Sequence, residues 1–154
     1  MPLTVHVREL PAMHGTHLGH SDWHEVTQRQ VDLFAEATWD HQWIHVDAAR
    51  AAAGPYGGTI AHGFLTISLA PALMAEVWRV EGIDITVNRG LAGLKLRAPL
   101  PVGAKVRMGV ELLTTRPRPR DFVEATFALT FEATGITQPV ATAEMILLLH
   151  VVDA

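Results

Sequence analysis

No cysteine occurs anywhere in the chain. Its absence excludes a disulfide framework, a thiol nucleophile and a cysteine-ligated zinc, and leaves the redox compartment open. Positive charge is not in excess either, with 12 Lys and Arg against 16 Asp and Glu and a formal net charge of −4. There is thus no electrostatic reason to expect nucleic acid or an anionic membrane as a partner. Long hydrophobic runs are also missing. The most apolar stretch, 64–77, contains Thr66, Ser68, Pro71 and Glu76. It falls short of the roughly 20 residues a spanning helix needs and reads as a buried core helix. The opening residues lack a basic start followed by an apolar block, so no signal peptide is expected and a cytoplasmic location follows as the expectation.

What is present is 154 residues, 49% of them hydrophobic. That is the size of one domain, expected here over 1–154, with a core that needs neither disulfides nor metals. Residues 1–20 mix apolar residues with Pro11, Gly15 and Gly19 and suggest a loose surface lead-in. His14, His17, His20 and His24 fall close together, but without a carboxylate or a second cluster at ligand spacing they read as solvated histidines. Thr27 suits an N-cap for a helix over 28–37, and Asp47 one for a short helix ending near Ala53. Gly54-Pro55-Tyr56-Gly57-Gly58 closes that segment. From Gly63 to about Arg79 the residues are apolar on nearly every face, with Pro71 expected to kink the helix.

After Gly82 the character changes to strands, expected over 83–88, 90–96, 105–113, 122–132 and 140–152. Val106, Met108, Val110 and Leu112 alternate with Lys105, Arg107, Gly109 and Glu111. Short turns at 116–119 and 134–135 imply antiparallel pairing. Helices first and long strands afterwards describe an α+β domain whose sheet covers the buried helix. One sheet around one helix leaves an exposed edge, so a homodimer is expected.

Two features carry chemistry. Asp40 follows the first helix and His45 lies five residues on. A carboxylate and an imidazole so placed can share one water, each taking one of its hydrogen bonds; the spacing fits equally a loop carboxylate and a histidine satisfied by a nearby carbonyl. Gly63, at the start of the apolar helix, offers an unpaired N–H and no Cβ. Such a group can polarise a docked thioester carbonyl, or simply permit close helix packing.

Asp40, His45 and the run Gly58-Thr59-Ile60-Ala61-His62-Gly63-Phe64 together resemble the MaoC-like, (R)-specific enoyl-CoA hydratase family, and within it the NodN-like branch. The resemblance runs from about Leu18 to the strands near Ala143. It implies a hot-dog fold, in which a long central helix is wrapped by an antiparallel β-sheet, paired as a dimer with active sites near the subunit interface. It implies hydration of a trans-2-enoyl thioester such as enoyl-CoA to the (R)-3-hydroxyacyl thioester, or the reverse, with no cofactor and no metal. Asp40 then carries over as the base toward water, His45 as the group that orients water and delivers a proton to the α carbon, and Gly63 as the oxyanion donor. Gln42 lines the site where the family has an amide, His62 packs or caps at the helix start, and Asn88 and Lys95 approach the pantetheine or are solvated. Arg116, Arg118 and Arg120 form a basic hairpin tip, either a phosphate contact or a solvated turn. The chain departs from the family at Trp39, where a small residue is usual, which bears on acyl length. Two other readings remain, a non-catalytic hot-dog subunit of a dehydratase heterodimer and a hot-dog thioesterase.

Overall fold

The computed structural model describes residues 1–152, so the last two residues of the expected domain lie outside the described residues. In chain order the elements are β1 (Leu3–His6), a 3-10 segment (Val7–Met13), β2 (Thr16–His20), β3 (His24–Glu25), α1 (Gln28–Thr38), α2 (Trp43–Val46), α3 (Ala48–Ala52), α4 (Gly63–Ser68) and α5 (Ala70–Val77). Then come β4 (Trp78–Glu81), β5 (Ile83–Leu96), β6 (Lys105–Arg118), β7 (Phe122–Ala133) and β8 (Ala141–Val151). The main sheet has the order β2-β6-β7-β8-β5, with β3 also on β6, and every pairing in it is antiparallel.

The alternating residues of β6 fill the core as the periodicity requires, with Val106, Met108, Val110 and Leu112 fully buried. Phe127, Leu129 and Phe131 of β7 join them against Leu65, Leu73, Met74 and Val77 of the helical run, and the Trp78 ring sits 4.8 Å from that of Phe127. A helix wrapped by an antiparallel sheet is the α+β hot-dog arrangement expected from the sequence.

Several details differ from expectation. The lead-in is ordered, because β1 pairs in parallel with β4 across more than seventy residues of sequence. The central helix stops at Val77, since Trp78 and Arg79 are taken by that same pairing. It is also two abutting segments. Pro71 has no N–H to donate into the first turn of α5, and the Leu69 N–H is shared between the carbonyls of Leu65 and Thr66 at 3.2 and 3.3 Å. The strands expected over 83–88 and 90–96 are one, β5, whose register on β8 shifts at three irregularities rather than breaking.

Candidate active site

The site is assembled at the N-terminal end of the helical run. Thr27 and Gln30 form a capping box that starts α1: Thr27 Oγ1 accepts from Gln30 N–H at 3.2 Å and Gln30 Oε1 accepts from Thr27 N–H at 3.0 Å. The helix ends on Trp39 in the left-handed region at φ 64, which turns the chain sharply and places Asp40 at the mouth of the following loop. Trp39 is 87% exposed. The short α2 then brings His45 inward, 6% exposed.

His45 Nδ1 lies 2.7 Å from the Ile60 carbonyl. A carbonyl only accepts, so Nδ1 carries the proton and Nε2 of the neutral ring is left with its lone pair. His62, 2% exposed, is fixed in the same way, its Nε2–H donating to the Asp40 carbonyl at 2.9 Å. The two imidazoles stack with centroids 3.8 Å apart and 24° between planes, and Phe34 closes the far side of His62 at 4.9 Å. His62 therefore packs and ties the Asp40 loop, without capping the helix. Its Nδ1 is buried without a hydrogen-bond partner.

Burial pushes the His45 pKa below the ordinary histidine value, and the neighbouring His62 adds to that direction. The hydrogen bond to Ile60 and the Asp40 carboxylate oppose it. The net effect is a neutral ring near pH 7, able to accept at Nε2.

One donor atom each of Asp40, His45 and His62 lies within 4.8 Å of the others. A single water making two hydrogen bonds of ~2.8 Å at its tetrahedral angle spans partners about 4.6 Å apart, so two members of the trio are spaced to share one water. The trio is poorly arranged for a metal. Imidazole lone pairs lie in the ring plane, and two stacked, nearly parallel planes do not meet at a point ~2.0–2.1 Å from both rings.

Gly63 opens α4, and its N–H has no acceptor among the described residues. A Cβ added there would meet the terminal methyl of Leu96, an exposed side chain that would have to swing aside. His45, Gly63, Leu96, Tyr56 and Arg97 line one cavity of about 250 Å³. Asp40 and Gln42 are exposed and stand outside it; the Gln42 side chain makes no capping bond, while its carbonyl accepts from His45 N–H at 3.0 Å. Asn88 lies on β5 in other cavities, with Pro71 and Met145.

The arginine tip is at the wrong end. Pairing runs Arg118–Phe122–His150–Ile85 along one end of the sheet, whereas Leu96, over Gly63, aligns with Ala141 and Phe131 at the other. About ten residues of strand, roughly 30 Å, separate them. Arg118 is instead occupied by Glu124, at 2.9 Å from Nη2 to Oε1 and 3.2 Å from Nε to Oε2. Arg89 reaches the same carboxylate at 3.1 Å, and Arg118 above all holds the Glu124 carboxyl below its ordinary value.

Gln28 gives no sign of its role in the sequence. Its Nε2 donates to the His45 carbonyl at 2.7 Å, and its Oε1 accepts from Thr59 Oγ1 at 2.6 Å, so one amide locks the loop of His45 to the segment before Gly63. Leu96 and the Ile60 carbonyl were equally silent. All three act through contacts between distant segments.

The family profile described as "MaoC like domain" matches residues 9–130. The chain is 46% identical over 140 residues to 3-hydroxyacyl-thioester dehydratase Z of Mycobacterium tuberculosis, covering 91% of this chain and 93% of that one. It is 37% identical over 144 residues to Nodulation protein N of Rhizobium leguminosarum bv. viciae, covering 92% and 89%. Among solved structures, R-hydratase PhaJ1 of Pseudomonas aeruginosa superposes with a TM-score of 0.70 at 24% identity, covering 92% of this chain and 83% of that one, a likeness of fold.

Proposed function

The chain belongs to the MaoC-like domain family, and from that premise we propose that it catalyses (R)-specific hydration of trans-2-enoyl thioesters such as enoyl-CoA, or the reverse dehydration of 3-hydroxyacyl thioesters. The observation that carries this reading is the forced tautomer of His45. With Nδ1–H committed to Ile60, Nε2 is left as the acceptor of a ring that has a nitrogen within 4.8 Å of the Asp40 carboxylate and that borders the cavity holding Gly63.

In this reading one water donates a hydrogen bond to the Asp40 carboxylate and the other to His45 Nε2. The neutral ring has no proton of its own to deliver. His45 therefore takes the proton from water as the water oxygen bonds to the β carbon, and passes that proton to the α carbon, returning to neutral. This refines the sequence expectation, in which Asp40 was the base: the carboxylate here orients the water and stabilises the transient imidazolium. The Gly63 N–H polarises the thioester carbonyl and carries the negative charge of the enolate between the two steps. Gln42 and Asn88 have no direct part. His62 keeps the Asp40 loop and the His45 ring in place.

The test is incubation with crotonyl-CoA, following loss of the enoyl thioester absorbance together with release of free thiol. Hydration without thiol release is expected. Thiol release instead would establish a thioesterase, and inactivity across short and long enoyl-CoA would favour a non-catalytic subunit.

We also propose that the protein is a homodimer. The support is β5, a 14-residue edge strand with Ile85, Val87 and Leu91 exposed.

A further inference from the structure

The run of histidines at 14, 17, 20 and 24 takes no part in the chemistry above, and the fold divides it. His14 Nε2 accepts from the Thr115 N–H at 2.9 Å, and His24 Nε2 lies 2.7 Å from the Glu76 carboxylate. His17 and His20 make no hydrogen bond among the described residues and face each other, with ring centroids 4.8 Å apart and 45° between planes.

Residues three apart on a regular strand point to opposite faces. The register of β2 on β6 undoes this. His17 lies opposite Glu111, Gly19 opposite Val110 and His20 opposite Gly109, so Leu18 is an extra residue, and a one-residue bulge returns both imidazoles to the outer face. Leu18 turns into the core. Gly109 supplies the room: a Cβ there would stand 3.1 Å from His20 Nε2 and 3.4 Å from His17 Nε2, so both nitrogens gather over one bare backbone position. His17, His20, Gly109 and Glu111 border a cavity of about 210 Å³ on this face.

We propose that His17 and His20 bind a borderline divalent transition-metal ion, of the Zn²⁺ or Ni²⁺ kind, through their Nε2 atoms, with Glu111 as a carboxylate ligand and water in the remaining positions. Two imidazoles and one carboxylate select this class of ion over Mg²⁺ or Ca²⁺. Unlike His45 and His62, the two rings are exposed and inclined, and neither has a nitrogen committed to a carbonyl, so both are free to turn toward a shared ion. Glu111 is already the cross-strand neighbour of His17. Bound metal straps the edge strand β2 to β6.

The experiment is isothermal titration of the untagged full chain with NiCl₂ and, separately, ZnCl₂, in parallel with His17→Asn, His20→Asn, Gly109→Ala and His45→Gln. One equivalent should bind to wild type and to His45→Gln with equal affinity. His17→Asn and His20→Asn should each lose at least tenfold, and Gly109→Ala, which keeps both ligands but fills the space between them, should weaken binding too. Metal should raise the unfolding temperature of wild type but not of the two Asn variants, whose exposed positions leave the fold intact. Absence of binding by wild type, unchanged affinity in both Asn variants, or a loss that follows His45→Gln would overturn the proposal.

Discussion

At the scale of single residues, the decisive fact is which nitrogen of His45 holds the proton. The Ile60 carbonyl decides it, and burial keeps the ring neutral. The same burial has a consequence for stability. A histidine whose folded pKa lies below its unfolded value of ~6.5 binds fewer protons when folded, so its contribution is present above that value and is lost as the pH falls through the folded pKa. Urea unfolding of the wild type should therefore show stability falling from pH 7 toward pH 5. In His45→Gln that fall should be smaller; an equally steep fall in the variant would assign it to other groups. Asp40 and His45 were legible in the sequence through the order of motifs, and Gly63 with them. The Ile60 carbonyl and Gln28 were not, because a carbonyl has no residue-type signature and a glutamine that bridges two loops looks like any surface glutamine until the loops are brought together.

At the scale of elements, α1 ends on a residue that pays for its geometry. A side chain at φ 64 costs on the order of 1–2 kcal/mol, and Trp39, at 87% exposure, has little packing to offset it. Trp39→Gly should raise stability by up to about 1 kcal/mol in denaturant titration; a loss would mean that the ring contributes an interaction outweighing the strain. The residue was conspicuous in the sequence as a bulky group where the family is small, and the backbone explains the family's preference: this is the left-handed turn that a glycine adopts freely. Strands β6, β7 and β8 were readable from alternation alone, since one face of each is buried and the other is not. The parallel pair β1–β4 and the bulge at Leu18 were unreadable, because register between strands leaves no mark on either one. For that reason His17 and His20 read, from the sequence, only as solvated histidines of a surface lead-in.

At the scale of the whole molecule, the proposed catalytic parts cluster at one end of the sheet, while the arginine-rich tip lies at the other and is partly neutralised by Glu124. The long edge of β5 runs between the two ends. If a second copy covers it, sedimentation velocity should show a dimer for wild type and a folded monomer for the double variant Val87→Lys, Leu91→Lys. A monomeric wild type would remove the homodimer from the account. The proposed reaction rests on the pairing of Asp40 with His45, and the most direct measurement is kcat for hydration of crotonyl-CoA by Asp40→Asn and His45→Gln beside the wild type. Each variant should turn over at least roughly 100-fold more slowly, the loss expected when a general acid–base group is removed from a fold left otherwise intact. Near-normal turnover by either variant would contradict the account.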